Sequence, residues 1–137
     1  MDSTSSADCI FCKIVAGEIP SKQVYADDVA VAFLDVAPFK RGHTLVVSRT
    51  HVADALADAD VLASLAPAIR ATGRLLVDRL GASGLNIVSN MGQDAGQSVF
   101  HLHVHLVPRY PDDAGFAAMV RKADGIDTDE VFATLTA

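Results

Sequence analysis

The stretch His101-Leu102-His103-Val104-His105-Leu106-Val107 alternates three histidines with aliphatic residues. A period of two is the pattern of a β-strand with one buried face. Leu102, Val104 and Leu106 are then expected to enter a core, with all three imidazoles on the opposite face. Histidine is the side chain whose ordinary pKa lies nearest neutrality, so that face is expected to do chemistry.

Working outward, residues 99–107 read as the last of five strands. Residues 85–90 and 44–48 read as two more, and residues 23–25 and 30–35 as a pair turning at Asp27-Asp28. Pro38-Phe39-Lys40-Arg41-Gly42 reads as a loop. From residue 52 to residue 80 the pattern becomes helical, because Leu62, Leu65, Ile69, Leu76 and Leu80 recur as one buried stripe. Pro67 falls inside this run. It either kinks the helix or marks its start, since an interior proline costs about 3 kcal/mol. Short helices are expected at residues 9–16, stopped by Gly17, and from Asp127 to the C-terminus. The fold class expected is α+β, an antiparallel five-stranded sheet with one long helix and short terminal helices. Residues 1–8 read as a flexible tail and residues 9–137 as a single domain.

At 137 residues, half of them apolar, the chain can build a core of its own. A net charge of -6 argues against coating nucleic acid, where a basic patch is needed, but leaves room for a small anionic ligand in a local pocket. No apolar run reaches membrane-span length, and residues 1–8 lack the order of a secretory signal, so a cytoplasmic location is expected. Cys9 and Cys12 are the only cysteines, a spacing that suits a metal or a redox pair better than a disulfide framework.

The histidines admit two chemistries. On a straight strand residues 101 and 105 lie roughly 13 Å apart. A histidine reaches a metal over only roughly 5 to 6 Å. All three therefore cannot share one ion, although a neighbouring pair can. The other chemistry is nucleophilic catalysis, in which a neutral imidazole attacks phosphorus or an acyl carbon while a neighbour protonates the leaving group. His103 is flanked on both sides, which favours it as nucleophile. The plain alternative is a row of exposed polar positions, which explains one histidine more easily than three in strict alternation. Cys9 and Cys12 form half of a tetrahedral metal site, and His51, just past a strand end, has no other assignment. A redox role lacks the βαβ setting it ordinarily has.

Gly96-Gln97-Ser98-Val99-Phe100-His101-Leu102-His103-Val104-His105-Leu106-Val107 resembles the motif of the histidine-triad (HIT) family of nucleotide hydrolases and transferases. The resemblance continues in Phe33-Leu34-Asp35, in Gly42-His43-Thr44-Leu45-Val46-Val47 and in Cys9-Ile10-Phe11-Cys12-Lys13-Ile14. It implies a HIT-like fold with His103 as the nucleophile that forms a nucleotidyl-histidine. The carbonyl of His101 would hold its other ring nitrogen, and His105 would assist at the phosphate or leaving group. Asn90 and Ser98 would contact the phosphate or leaving group. Asp35 would bind ribose hydroxyls, Phe11 and Val36 would line the base pocket, and His43 and Gln97 would lie at the substrate site.

The resemblance also implies a structural zinc ion on Cys9, Cys12, His51 and His101, because bacterial members place zinc at such a set. Branches that transfer uridylyl groups carry glutamine where this chain has His105, which favours a hydrolase. The substrate implied is a purine nucleoside phosphoramidate or related conjugate, or alternatively a dinucleoside polyphosphate. Pro108-Arg109 resembles the second branch and the Gly92–Ser98 loop the first. A homodimer is the family's usual assembly. A non-catalytic nucleotide binder and a metal sensor are the competing readings.

Overall fold

The computed structural model describes residues 6–116, 120 and 122–137. Helix α1 (Ile10–Val15) comes first, followed by strands β1 (Gln23–Ala26), β2 (Ala30–Leu34) and β3 (Thr44–Ser48). Helices α2 (Ala59–Ser64) and α3 (Ala66–Leu80) precede β4 (Gly84–Val88) and β5 (His103–Arg109), and α4 (Thr128–Leu135) comes last. The five strands form one sheet in the order β1-β2-β3-β5-β4, with every neighbouring pair antiparallel. This is the α+β architecture expected from the alternation and the leucine stripe.

Both faces of the sheet are covered. On one, Ala30, Ala32, Val46, Val104 and Leu106 pack with Leu102 against Leu65, Ala68 and Leu76 of the helical layer. On the other, Val31, Phe33, Leu45 and Val47 pack against Phe11 and Ile14 of α1. Fully burying each large aliphatic side chain contributes about 1.5–3 kcal/mol. In the β3–β5 register Leu45 faces His105 and Val47 faces His103, with Val46 opposite Val104 between them. The period-two alternation thus puts His103 and His105 on the α1 face.

Two expectations change and one open alternative is decided. The strand expected at residues 99–107 begins only at His103. Leu102 instead donates its N–H to Val52 O at 2.8 Å, and its carbonyl accepts from Ser48 N at 3.3 Å. The segment before His103 is therefore pinned by a loop and the end of β3. The helix expected from residue 52 starts at Ala59. Asp54 caps a turn at Leu56 N–H, and Asp58 caps α2 through Asp60 and Val61 N–H, so local carboxylate bonds replace helix in residues 52–58. Pro67 stands in the first turn of α3, where its missing N–H costs no hydrogen bond. It therefore marks a helix start and not a kink. Residues 1–5 of the expected tail lie outside the described residues. Ser6 is tied down, donating its N–H to Cys12 Sγ at 3.3 Å.

Candidate functional site

His101 is fully buried just before β5 and works in two directions. Its Nε2–H donates to Ser48 O at 2.6 Å, so the Nδ1 lone pair points the other way. There it meets Cys9 Sγ at 3.4 Å, Cys12 Sγ at 3.4 Å and His51 Nδ1 at 3.1 Å. His51 Nδ1 lies 3.2 Å from Cys12 Sγ. The four ligand atoms all fall within 4.8 Å of one another and could hold a metal ion. Four donors around a tetrahedral zinc are separated by roughly 3.3–3.8 Å, given bonds of about 2.0–2.3 Å. Burial pushes the pKa of His101 down to about 4, so its ring is neutral, as a ligand must be. The bond to Ser48 supplies the outer support that orients a metal-ligating imidazole.

The backbone of His101 serves His103. His103 Nδ1–H donates to the His101 carbonyl at 2.6 Å, which fixes the tautomer and leaves Nε2 with a free lone pair. Burial lowers the pKa of His103, and Phe11 packs edge-on against its ring at 4.9 Å. The ring is therefore neutral and oriented. Ser89 steadies the strand from behind, donating its hydroxyl to His103 O at 2.7 Å.

His105 belongs to a second cluster. Phe39 N–H donates to His43 Nδ1 at 3.1 Å, so the proton of neutral His43 sits on Nε2. That nitrogen lies 3.0 Å from His105 Nδ1 and 3.6 Å from Asp35 Oδ2. His43 donates to His105 Nδ1, which leaves the proton of His105 on its own Nε2. His105 lines the cleft and carries that donor. Asp35, His43 and His105 also stand close enough together to ligate an ion. A metal there would need a lone pair at His43 Nε2, hence a proton on Nδ1 aimed at the Phe39 N–H. The cluster is built to hold a proton, not an ion. Burial, with His103 and His43 adding repulsion, pushes His105 down to about 4. Burial also lowers His43, against the opposing pull of Asp35.

A cleft of about 900 Å³ opens over these rings. Ile10, Phe11, Ile14, Phe33 and Val36 are among its apolar lining residues, and Asp35, Ser98, His103 and His105 also line it. Val36 is fully exposed and free to meet a ligand. Asn90 sits beside the Gly92–Ser98 loop, where a Cβ at Gly96 would lie 3.7 Å from its Nδ2 and where φ is +103°. Two expected substrate contacts are placed elsewhere. His43 is buried behind His105. Gln97 is buried too, and its amide is fully engaged: Nε2 donates to Ala53 O and Val99 O, and Oε1 accepts from Gly92 N–H. Its side chain shapes the loop from inside. Sequence reasoning missed Ser48, Ser89 and Phe39, whose roles depend on partners far along the chain and leave no local signal.

A family model described as HIT domain matches residues 16–112. "Protein hit" of Bacillus subtilis is 46% identical over 112 residues, covering 81% of this chain and 77% of that protein. The crystal structure of SMU.412c from Streptococcus mutans is similar with a TM-score of 0.84 and 42% identity, covering 97% of this chain and 83% of that one. Adenylylsulfatase HINT3 of Arabidopsis thaliana is 32% identical over 130 residues, 93% of this chain and 66% of that protein.

Proposed function

This chain belongs to the HIT family, and from that premise we propose that it hydrolyses a purine nucleoside phosphoramidate or related nucleotide conjugate through a covalent nucleotidyl-histidine. The observation that carries the reading is the 2.6 Å bond from His103 Nδ1 to the His101 carbonyl, which frees Nε2 as a neutral nucleophile. Nε2 attacks the α-phosphorus, and a P–N bond to His103 forms as the bond to the leaving group breaks. His105 Nε2–H gives its proton to the departing nitrogen or oxygen. Water then attacks phosphorus, returns a proton to His105 and releases the nucleoside monophosphate. His43 stays behind His105 and keeps its tautomer.

The cleft suits such a substrate. Phe11, Val36 and the isoleucines give the cleft an apolar lining for a base, Asp35 would meet the ribose hydroxyls, and Ser98 would offer a neutral donor to phosphate oxygens, with Asn90, beside the Gly92–Ser98 loop, a second. A dinucleoside polyphosphate would pass through the same intermediate, and the relative named as an adenylylsulfatase supports a nucleotide carrying an anionic leaving group. Zinc is the ion proposed for Cys9, Cys12, His51 and His101. Bound there, it would fasten α1 to the start of β5 and would have a structural role only. No helix among the described residues is long and apolar enough to cross a membrane. The free thiols suit a reducing, cytoplasmic setting.

The test is covalent trapping. Wild-type protein incubated with a slow adenosine phosphoramidate and acid-quenched should gain the mass of one adenylyl group. His103→Ala should gain none and should lose roughly 10⁴-fold or more in turnover. Turnover retained by His103→Ala, or a wild-type protein that neither traps nor turns over nucleotides, would end the proposal.

A further inference from the structure

The segment that follows β5 grips the loop between β2 and β3. Asp113, its side chain only 7% exposed, has Oδ2 3.1 Å from Lys40 Nζ. Its Oδ1 accepts from Gly115 N–H at 3.0 Å and lies 3.4 Å from Arg109 Nη1. Tyr110 donates its hydroxyl to Arg41 O at 2.6 Å. Two neighbouring residues of the loop, Lys40 and Arg41, are thus held by one short stretch of chain about 70 positions away. The Gly115 N–H, with Lys40 beside it, holds the Asp113 carboxyl down at about 2, so the charge that grips Lys40 persists at any working pH.

The gripped loop has a chemical task. Phe39, next to Lys40, gives the N–H that holds His43 Nδ1, and its ring lies 4.7 Å from that of His43 and stacks at 6.4 Å on that of His105. Phe39 is nevertheless 68% exposed, so little packing of its own holds it in place. Lys40 O accepts from His43 N–H at 3.0 Å and closes the turn. Gly42, at the far end of the loop, is held separately, its carbonyl accepting from Thr44 Oγ1 at 2.7 Å, so the grip acts on Lys40 and Arg41, beside Phe39.

We propose that Asp113 and Tyr110 are positioning residues, which through Lys40 and Arg41 hold the 38–42 loop so that Phe39 keeps His43, and through it His105, in one tautomer. The inference deepens the reading of His105 as proton donor and rests on it. Without the grip, Phe39 N–H drifts from His43 Nδ1, the proton of His43 exchanges between its nitrogens, and His105 spends part of its time with its lone pair facing the leaving group.

The experiment compares wild type with Asp113→Asn, Tyr110→Phe, the double variant, and Lys40→Met, which opens the same ion pair from its other end. Imidazole ¹⁵N shifts are read on the free, folded protein. Turnover is read on adenosine phosphoramidate and on an adenosine p-nitrophenyl phosphodiester, whose leaving group departs without a proton. In the double variant the ¹⁵N shifts of His43 and His105 should move toward tautomer-averaged values. Phosphoramidate turnover should fall roughly tenfold or more, a fraction of the roughly 10²–10⁴-fold that general acid catalysis supplies, while the aryl ester changes less than about twofold. Unchanged shifts, or equal losses on both substrates, would overturn the proposal. A wild-type protein inert to both substrates defeats the hydrolase reading, and the shifts alone then decide whether the grip sets the tautomers. Should the double variant not fold, the single variants give the same readout.

Discussion

His105 shows how one residue links site chemistry to stability. Its ring is half-buried, hydrogen-bonded to His43 at 3.0 Å, and protonates only near pH 4. In the unfolded chain a histidine takes up its proton at about 6.5. Between those values the unfolded state binds more protons, so stability rises with pH across the window and is lost as the solution is acidified from about 6.5 toward 4. Above 6.5 both states are neutral and the contribution is flat. Replacing His105 with Gln should therefore make the dependence of the urea midpoint on pH between about 4 and 6.5 less steep, the remainder coming from His101, His103 and His43, whose pKa values are also lowered. Parallel profiles for variant and wild type would show that the ring is not held neutral by its surroundings. The residue scale was also the most legible in the sequence. His101, His103 and His105 announced themselves, and Cys9, Cys12 and His51 matched a ligand pattern. Their division of labour was not readable from spacing, because it rests on Ser48 O, on the His101 carbonyl and on the Phe39 N–H, backbone groups that every residue carries.

Among the elements, β2 and β3 were legible almost residue by residue, since their continuous apolar runs have no competing local bonds. The start of β5 was not, because Leu102 keeps the apolar alternation while its N–H goes to Val52. Residues 52–58 read as helix for the converse reason: their apolar spacing continues the stripe of α3, and aspartate side chains at 54 and 58 divert the backbone. The β2–β3 connection carries a constraint that periodicity cannot report. Gly42 has φ +90°, and a Cβ there would sit 2.5 Å from Leu80 Cδ1 and 3.3 Å from Pro108 Cγ. The loop that presents His43 thus passes between the end of α3 and β5 with no room for a methyl group. Gly42→Ala should cost about 1–3 kcal/mol, from overpacking together with an unfavourable left-handed φ. Equilibrium urea unfolding measures it, and an unchanged midpoint would mean that Leu80 yields freely.

For the whole molecule, the issue is what joins α1 to the sheet and what covers the sheet's far edge. Helix α1 is only six residues long, too short to persist alone. Its Cys9 and Cys12 meet His51 and His101 from the two ends of the β3-to-β5 excursion, so an ion at this cluster would tie three distant parts of the chain together. The opposite edge, β4, leaves Ile87 57% exposed. Beside it Ile69, Val77 and Leu85 line a shallow groove with α3. An edge strand with apolar side chains invites pairing, and a second copy of this chain, joined β4 to β4, would continue the sheet across a two-fold axis. Native mass spectrometry of protein purified without chelators reads both features at once. The expected species is two chains with two zinc ions. A metal-free dimer would sink the zinc assignment and leave the pairing intact, whereas a zinc-loaded monomer would do the reverse. Ile87→Lys should shift the mass to the one-chain, one-zinc species, because it puts a like charge opposite its own copy at the proposed seam. Loss of zinc in that variant would mean that the ion and the interface are coupled. The 3.1–3.4 Å contacts of the cluster, all within one chain, argue that they are separate.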